Sequence, residues 1–314
     1  MFHYQQSSFG PFTRHRYEHP DSGTHMVLVP EKGGCMTELT LRRQEIFDGY
    51  RTPDELDRNS GAKGMPLFPF PNRLAGGTYT WEGINYAFPI NDKAGPNALH
   101  GFSREQAMKI THQELNDLTA YVICTYHDPG LHKGYPFPFK YEMAIRLDYS
   151  GSLEVEMHLT NEGTKPIPAG FGWHPYFRVD DRLHDMVLHL PSCQLVEVDE
   201  HLIPTGERTP FRHFSRPQAI GNFELDNCFA LTNEGKKATL TLEGSMARLR
   251  YWQETGPGKF NFIQLYTPED RQSIAIEPMT CNIDAFNNGD GLIRLEPDET
   301  VSARFGLVLM EDTV

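Results

Sequence analysis

The sequence predicts an all-β protein built as one large antiparallel β-sandwich. Three observations predict it: apolar and polar residues alternate in several segments, glycine and proline are spread along the chain, and helical periodicity is scarce. Leu153, Val155, Met157 and Leu159 alternate with Glu154, Glu156, His158 and Thr160, the pattern of a half-buried antiparallel strand. Val301, Ala303, Phe305, Leu307 and Leu309 repeat it near the C-terminus, and Ala238, Leu240 and Leu242 repeat it in a third place. Tyr79-Thr80-Trp81 and Ile84-Asn85-Tyr86 flank Glu82-Gly83 as a hairpin. Asn161-Glu162-Gly163, Asn233-Glu234-Gly235 and Asp148-Tyr149-Ser150-Gly151-Ser152 read as turns, because Gly and Asn accept a positive φ. Only Pro53-Asp54-Glu55-Leu56-Asp57-Arg58 reads as helix, with proline at its first position. Strand signals run from about residue 25 to about residue 310 without repeat, linker or compositional break. Residues 1–314 are therefore read as a single domain, two sheets burying alternate residues against each other.

Composition excludes several function classes. A net charge of −13 lacks the positive footprint that nucleic acid needs and does not favour an anionic membrane surface. No apolar stretch approaches membrane-spanning length, and the start Met1-Phe2-His3-Tyr4-Gln5-Gln6 lacks the basic and apolar regions of a signal peptide. The five cysteines (Cys35, Cys124, Cys193, Cys228 and Cys281) are odd in number and form no C-x-x-C pair. That argues against a disulfide framework or a structural zinc site and makes a reducing cytoplasm the expected location.

Four segments break the alternating rhythm. Phe171-Gly172-Trp173-His174-Pro175-Tyr176-Phe177 sets one histidine among aromatics and a proline. Flat apolar walls with a few placed polar groups suit a sugar pocket, and histidine suits acid–base work near neutral pH. The competing reading is a core histidine bonded to backbone. Phe68-Pro69-Phe70-Pro71-Asn72-Arg73-Leu74-Ala75-Gly76-Gly77 offers Arg73 as a fixed fork of donors, or else as a surface arginine in a turn. Asn97-Ala98-Leu99-His100-Gly101-Phe102 places His100 beside a glycine that permits close backbone approach, or in a loop exposed to water. In Gln272-Ser273-Ile274-Ala275-Ile276-Glu277-Pro278-Met279-Thr280-Cys281, Glu277 is expected to end a strand against Pro278. Its apolar neighbours should desolvate the carboxylate and make it a better base, unless an arginine pairs with it. Two histidines and a carboxylate are a known metal-ligand set, but His100, His174 and Glu277 show no short ligand spacing, so no metal is expected. Nothing marks Cys281 as an activated thiolate.

Taken together, Asn72-Arg73-Leu74, Leu99-His100-Gly101, His174-Pro175-Tyr176-Phe177 and Ile276-Glu277-Pro278 resemble, in order and spacing, the aldose 1-epimerases of the galactose mutarotase type. The stretch from Glu277 to Gly291 is similar to that family's bacterial branches, and the likeness covers about residues 25–310. The resemblance implies a large galactose mutarotase-like sandwich with an open sugar cleft, and interconversion of the α and β anomers of a free aldose without cofactor or metal. It implies Glu277 as general base, His174 as general acid and His100 as a further catalytic group. Arg73, Asp226, Gln264, Asn72 and Trp173 are the implied sugar contacts. Arg73, His100, His174, Asp226 and Glu277 should then line one cleft, with Glu277 and His174 on opposite sides of a sugar-sized space. Two departures sit near the expected pocket. Arg178-Val179 stands where many members have Asn-Leu, and Gly101-Phe102 where many have two glycines. They put the sugar in question more than the chemistry.

Three other readings stay open: a non-catalytic carbohydrate-binding module, an enzyme cleaving glycosidic bonds on a similar sandwich, and a mutarotase for a hexose 6-phosphate or other anionic sugar, for which Arg178 would supply charge. A small-molecule sugar is the expected partner, and a homodimer is left open.

Overall fold

A computed structural model describes residues 1–232 and 235–311. The turn expected at Asn233-Glu234-Gly235 therefore lies largely outside the described residues. The alternating segments become strands of two large sheets, all of whose ladders are antiparallel. The first has nine strands in the spatial order Lys109–Leu115, Thr119–Pro129, Pro138–Asp148, Ser152–Asn161, Thr300–Leu309, Arg248–Glu254, Lys237–Glu243, Val187–His189 and Gln218–Ala219. The second follows the order Pro204–Phe211, Cys193–Val198, Asp226–Leu231, Phe262–Tyr266, Ile274–Met279, Gly172–Trp173 and Pro66–Leu67, with Tyr176–Phe177 also paired to Ile274–Met279. Along Ser152–Asn161 every second residue is buried, as the period-two pattern requires.

The inner faces meet in one continuous apolar core. Trp173 of the second sheet stacks on Phe305 of the first with ring centroids 5.2 Å apart, and Phe171 reaches the same ring through Phe260. Phe68 packs on Phe139 at 4.5 Å. Aromatic rings thus tie the segments that carry the chemistry to the nine-stranded sheet, each ring removing a large area from water.

The helix Pro53–Arg58 forms with Pro at its start and a full capping box: the Thr52 hydroxyl accepts from Glu55 N and the Glu55 carboxylate accepts from Thr52 N. The hairpin around Glu82-Gly83 forms with both residues at positive φ.

Two features depart from the sequence reading. Strands begin at His3, well before residue 25: His3–Phe9, Phe12–His19, Thr24–Val29, Cys35–Leu41 and Gln44–Glu45 make a five-stranded sheet. Its first strand, HYQQSSF, is almost wholly exposed, so no apolar alternation announces it. A short second helix, Ala285–Asn288, also forms. Among the described residues no helix is long and apolar enough to cross a membrane.

Candidate active site

The floor of the site is set by strand register. Glu277 lies opposite Gln264, Gln264 opposite Cys228, and Tyr266 opposite Asp226. Opposed residues share a sheet face, and so do residues two apart. Glu277, Gln264, Tyr266 and Asp226 therefore project to one side, while Ile263, Leu265, Ile274 and Ile276 enter the core on the other. Glu277 does not end its strand. Met279 still pairs with Phe262 and Gly172, so the ladder runs through Pro278, which lacks only a donor.

His174 is held by its backbone. Its N donates to Met65 O at 3.0 Å and its carbonyl accepts from Gly64 N at 2.8 Å. Its ring stacks on Tyr176 (5.1 Å, 9° between planes) and meets His100 edge-on at 5.2 Å. The Tyr176 hydroxyl donates to Gly61 O. His174 Nε2 lies 3.3 Å from Glu277 Oε1. The two groups are thus in contact, not on opposite sides of a sugar-sized gap. Adjacent strand segments bring them together: Gly172–Trp173 and Tyr176–Phe177 both pair with Ile274–Met279 on either side of His174.

His100 sits at φ 64°, and its N donates to Asn72 O at 2.8 Å. Its Nδ1 accepts from Asn72 N at 3.1 Å, which leaves Nε2 as the protonated nitrogen of the neutral ring. Gly101, at φ 58°, lies so close to the Phe68 segment that a Cβ there would meet Phe68 O at 2.2 Å. The sequence reading of close approach at Gly101 thus has its cause in the docking of two loops. His100 is 7% exposed, so the alternative of a solvent-facing loop histidine fails.

Asn72, Arg73 and Gln264 form a polar network. Asn72 Nδ2 donates to Gln264 Oε1 (3.1 Å), and Gln264 Nε2 donates to Asp226 Oδ1 (2.8 Å). Arg73 Nε donates to Asp92 Oδ2 at 2.8 Å, and Arg73 Nη2 stands 3.9 Å from Asp226 Oδ2. Arg73 is accordingly a held cation on the cleft wall, not a free surface arginine.

Burial shapes the electrostatics. Glu277 is 2% exposed, and desolvation, helped by the nearby Asp226 charge and opposed by Arg73, pushes its carboxyl well above the usual range. Burial lowers His174 to about 3, with the Arg104 charge acting in the same direction. His100 is lowered by burial first, then by His174, Arg104 and Arg73. Glu277 Oε2 and His174 Nδ1 are buried without a hydrogen-bond partner. Burial thus favours a proton on the carboxyl and disfavours a second one on the imidazole, so the two groups in contact can pass one proton between them. Whichever group carries it is an acid, and its neighbour is a base.

Arg73, His100, His174, Asp226, Glu277, Asn72 and Gln264 all line one cleft of about 760 Å³, within the ordinary range for a small-molecule site. Three expected features fall elsewhere. Trp173 is 1% exposed, donates its Nε1–H to Gly64 O and packs in the core, because alternation turns it away from the face that His174 occupies. Phe102 stacks on His132 at 4.2 Å, and Arg178 is not part of the cleft lining, so neither departure from the family pattern touches the pocket. Sequence reasoning missed Tyr176, Tyr266, Asp92 and Arg104 as cleft residues. Tyr176 stood inside the His174 motif and could have been found. Asp92 and Arg104 lie in loops where nothing but folding reveals their direction. Among the described residues no group of three His, Cys, Asp or Glu side chains is arranged to hold a metal ion. Cys281 is buried and its thiol is pushed up to about 12 by desolvation, which fits the reading of an unactivated residue.

The aldose 1-epimerase family model matches residues 17–307. An uncharacterised protein of Escherichia coli K12, YihR, is 28% identical over 288 residues, 88% of this chain and 87% of the relative. The galactose mutarotase of Sus scrofa is 27% identical over 243 residues, 72% of this chain and 68% of the relative. In fold, the crystal structure of a galactose mutarotase-like protein from Clostridium acetobutylicum superposes with a TM-score of 0.87 at 19% identity, covering 99% of each chain. Galactose 1-epimerase from Lactobacillus acidophilus superposes at 0.84 and 16% identity, covering 100% of this chain and 99% of that one.

Proposed function

The chain belongs to the aldose 1-epimerase family, and we propose that it acts as a mutarotase, interconverting the α and β anomers of a free aldose by general acid–base catalysis. The observation that carries this reading is the buried contact of His174 with Glu277 in a cleft lined by sugar-compatible donors and acceptors.

Mutarotation needs a proton taken from the anomeric hydroxyl and another given to the ring oxygen. The C1–O5 bond breaks, the aldehyde forms, the C1–C2 bond rotates, and closure occurs on the other face. No net proton is gained or lost, which suits two groups that share one proton. Glu277 acts as base toward the anomeric hydroxyl and His174 as acid toward the ring oxygen, with the roles exchanged on closure. Sugar hydroxyls bonded to the carboxylate restore solvation that burial removed, and so favour the proton on His174 once the substrate is bound. His100 donates from Nε2 to the ring oxygen or a neighbouring hydroxyl. Asp226, Gln264, Asn72 and Arg73 hold further hydroxyls. Each well-placed acid or base contributes about 10²–10⁴-fold.

The test is anomer exchange of free sugars followed by polarimetry or NMR, with wild type and Glu277→Gln. Acceleration by wild type that is lost in the variant supports the reading. Binding of a sugar without turnover would make the sandwich a carbohydrate-binding module, and cleavage of an oligosaccharide would make it a glycosidic-bond enzyme.

A further inference from the structure

The cleft contains a cation to which the fold gives no ion pair among the described residues, the Glu105 charge acting on it only from beyond contact. Arg104 lies four residues past His100, in the 3-10 turn Ser103–Glu105, and lines the same cleft. Its guanidinium makes one long hydrogen bond, Nη2 to Leu99 O at 3.4 Å, and its Nε is buried without a partner. No carboxylate among the described residues lies within ion-pair distance of it. Glu105, its neighbour in sequence, is turned to Lys32 (3.0 Å) and Asn59 (2.9 Å).

Arg73 shows the contrast. In the same cleft it is neutralised by Asp92 and faces Asp226. A chain with a net charge of −13 has carboxylates to spare. Leaving a largely enclosed guanidinium without one is costly unless a ligand supplies the anion. Arg58 and Lys93, also on the cleft lining, add positive charge on exposed side chains.

The position of Arg104 also has a side. Its charge acts on both His100 and His174 and is not among those acting on Glu277, whereas the Arg73 charge reaches both His100 and Glu277. Arg104 therefore belongs to the histidine wall. If His174 serves the ring oxygen, that oxygen is bonded to C5, which carries the exocyclic C6, so after the anomeric group the C6 substituent is the one nearest the histidines.

We propose that Arg104, aided by Arg58 and Lys93, determines specificity by binding an anionic group (phosphate, sulfonate or carboxylate) carried at C6 of an aldohexose. This rests on the assignment of Glu277 and His174 to the anomeric centre. A guanidinium fork matches such oxyanions with two charge-assisted hydrogen bonds.

The experiment compares kcat/KM for glucose, glucose 6-phosphate, glucuronate and a 6-sulfonated hexose in wild type, Arg104→Gln and Arg104→Lys. Wild type should prefer at least one anionic sugar over glucose, and the three anions identify the group. Arg104→Gln should cut that preference roughly 10–100-fold, mainly through KM, the usual scale for hydrogen bonds to a charged group. Arg104→Lys should restore part of it, and added salt should weaken it. An unchanged anionic-to-neutral ratio in Arg104→Gln overturns the proposal, because a purely structural role lowers both rates together. Should wild type turn over no sugar, the mutarotase reading fails instead. Calorimetric binding of the same four sugars to wild type and Arg104→Gln then decides the role of Arg104 alone: anion-selective binding lost in the variant sustains it, and equal binding overturns it.

Discussion

His174 Nε2 and Glu277 Oε1 lie 3.3 Å apart, while the outer atom of each group, Nδ1 and Oε2, is buried with no partner. Two ionisable groups stripped of water and left half-satisfied are a strained arrangement for folding and a prepared one for proton transfer.

Glu277→Gln keeps size and hydrogen bonding but cannot accept the anomeric proton, and His174→Asn likewise cannot relay one. Each should lower kcat by about 10²-fold or more, with a much smaller change in sugar affinity. The double variant should lose less than the product of the singles, because the pair acts as a unit. Near-normal turnover in either single variant would make that residue a contact only. Steady-state polarimetry on purified variants checks this.

The pH profile should lack the usual histidine inflection. His174 takes up a proton of its own only as pH falls towards about 3, and the pair then holds two protons and no base. We therefore expect no fall in kcat/KM from protonation of His174 until pH approaches about 3. An inflection near 6.5 in background-corrected exchange rates would mean that His174 titrates as if exposed.

Stability should reveal the cost of the buried carboxyl. The folded-state pKa of Glu277 is raised, so its favourable contribution is complete below the unfolded value of 4.5 and is lost as pH rises towards the folded value. Each pH unit in that interval costs the wild type about 1.4 kcal/mol. Glu277→Gln has no proton to keep. Its melting temperature should match wild type near pH 4.5 and exceed it as pH rises above that value. Thermal unfolding at several pH values tests the sign, and a variant less stable at pH 8 than wild type contradicts it.

Gly101→Ala should damage both stability and catalysis. The added Cβ meets Phe68 O at 2.2 Å in a left-handed backbone, a strain of roughly 1–3 kcal/mol that also displaces His100. Denaturant unfolding should show the loss, and kcat should fall with it. An unperturbed variant would mean that the two loops are not docked.

Trp173 should prove structural. Trp173→Phe loses the bond to Gly64 O and some packing on Phe305, so stability should drop by about 1–3 kcal/mol while sugar KM stays within twofold. A large KM change with stability intact would return Trp173 to the sugar site.

Much of this arrangement is legible in the chain. The strands around Leu153, Ala238 and Val301 follow from strict alternation, and Arg73, His100, His174 and Glu277 stood out because each interrupts it. Trp173 misled because two adjacent residues of a strand face opposite ways, and no local signal says which of Trp173 and His174 faces the cleft. The contact between Glu277 and His174 was hidden because it depends on pairing between segments about a hundred residues apart. Arg104 was invisible for another reason: an unpaired charge is defined by the carboxylates that fail to reach it, and those come from everywhere in the fold.

The pairing of Gln264 with Glu277 works as a reading frame. A slip of one residue would send Ile276 into the cleft and drive the carboxylate between the sheets. A single-residue insertion or deletion within Phe262–Tyr266 or Ile274–Met279 would shift that frame. Arg58 at the end of a short helix, Arg104 in a 3-10 turn and Lys93 in a loop lie outside any ladder and can vary singly without shifting that frame. Under the proposed mechanism the carboxylate of the proton pair is fixed by the sheet, and the proposed anion contacts lie on segments outside it.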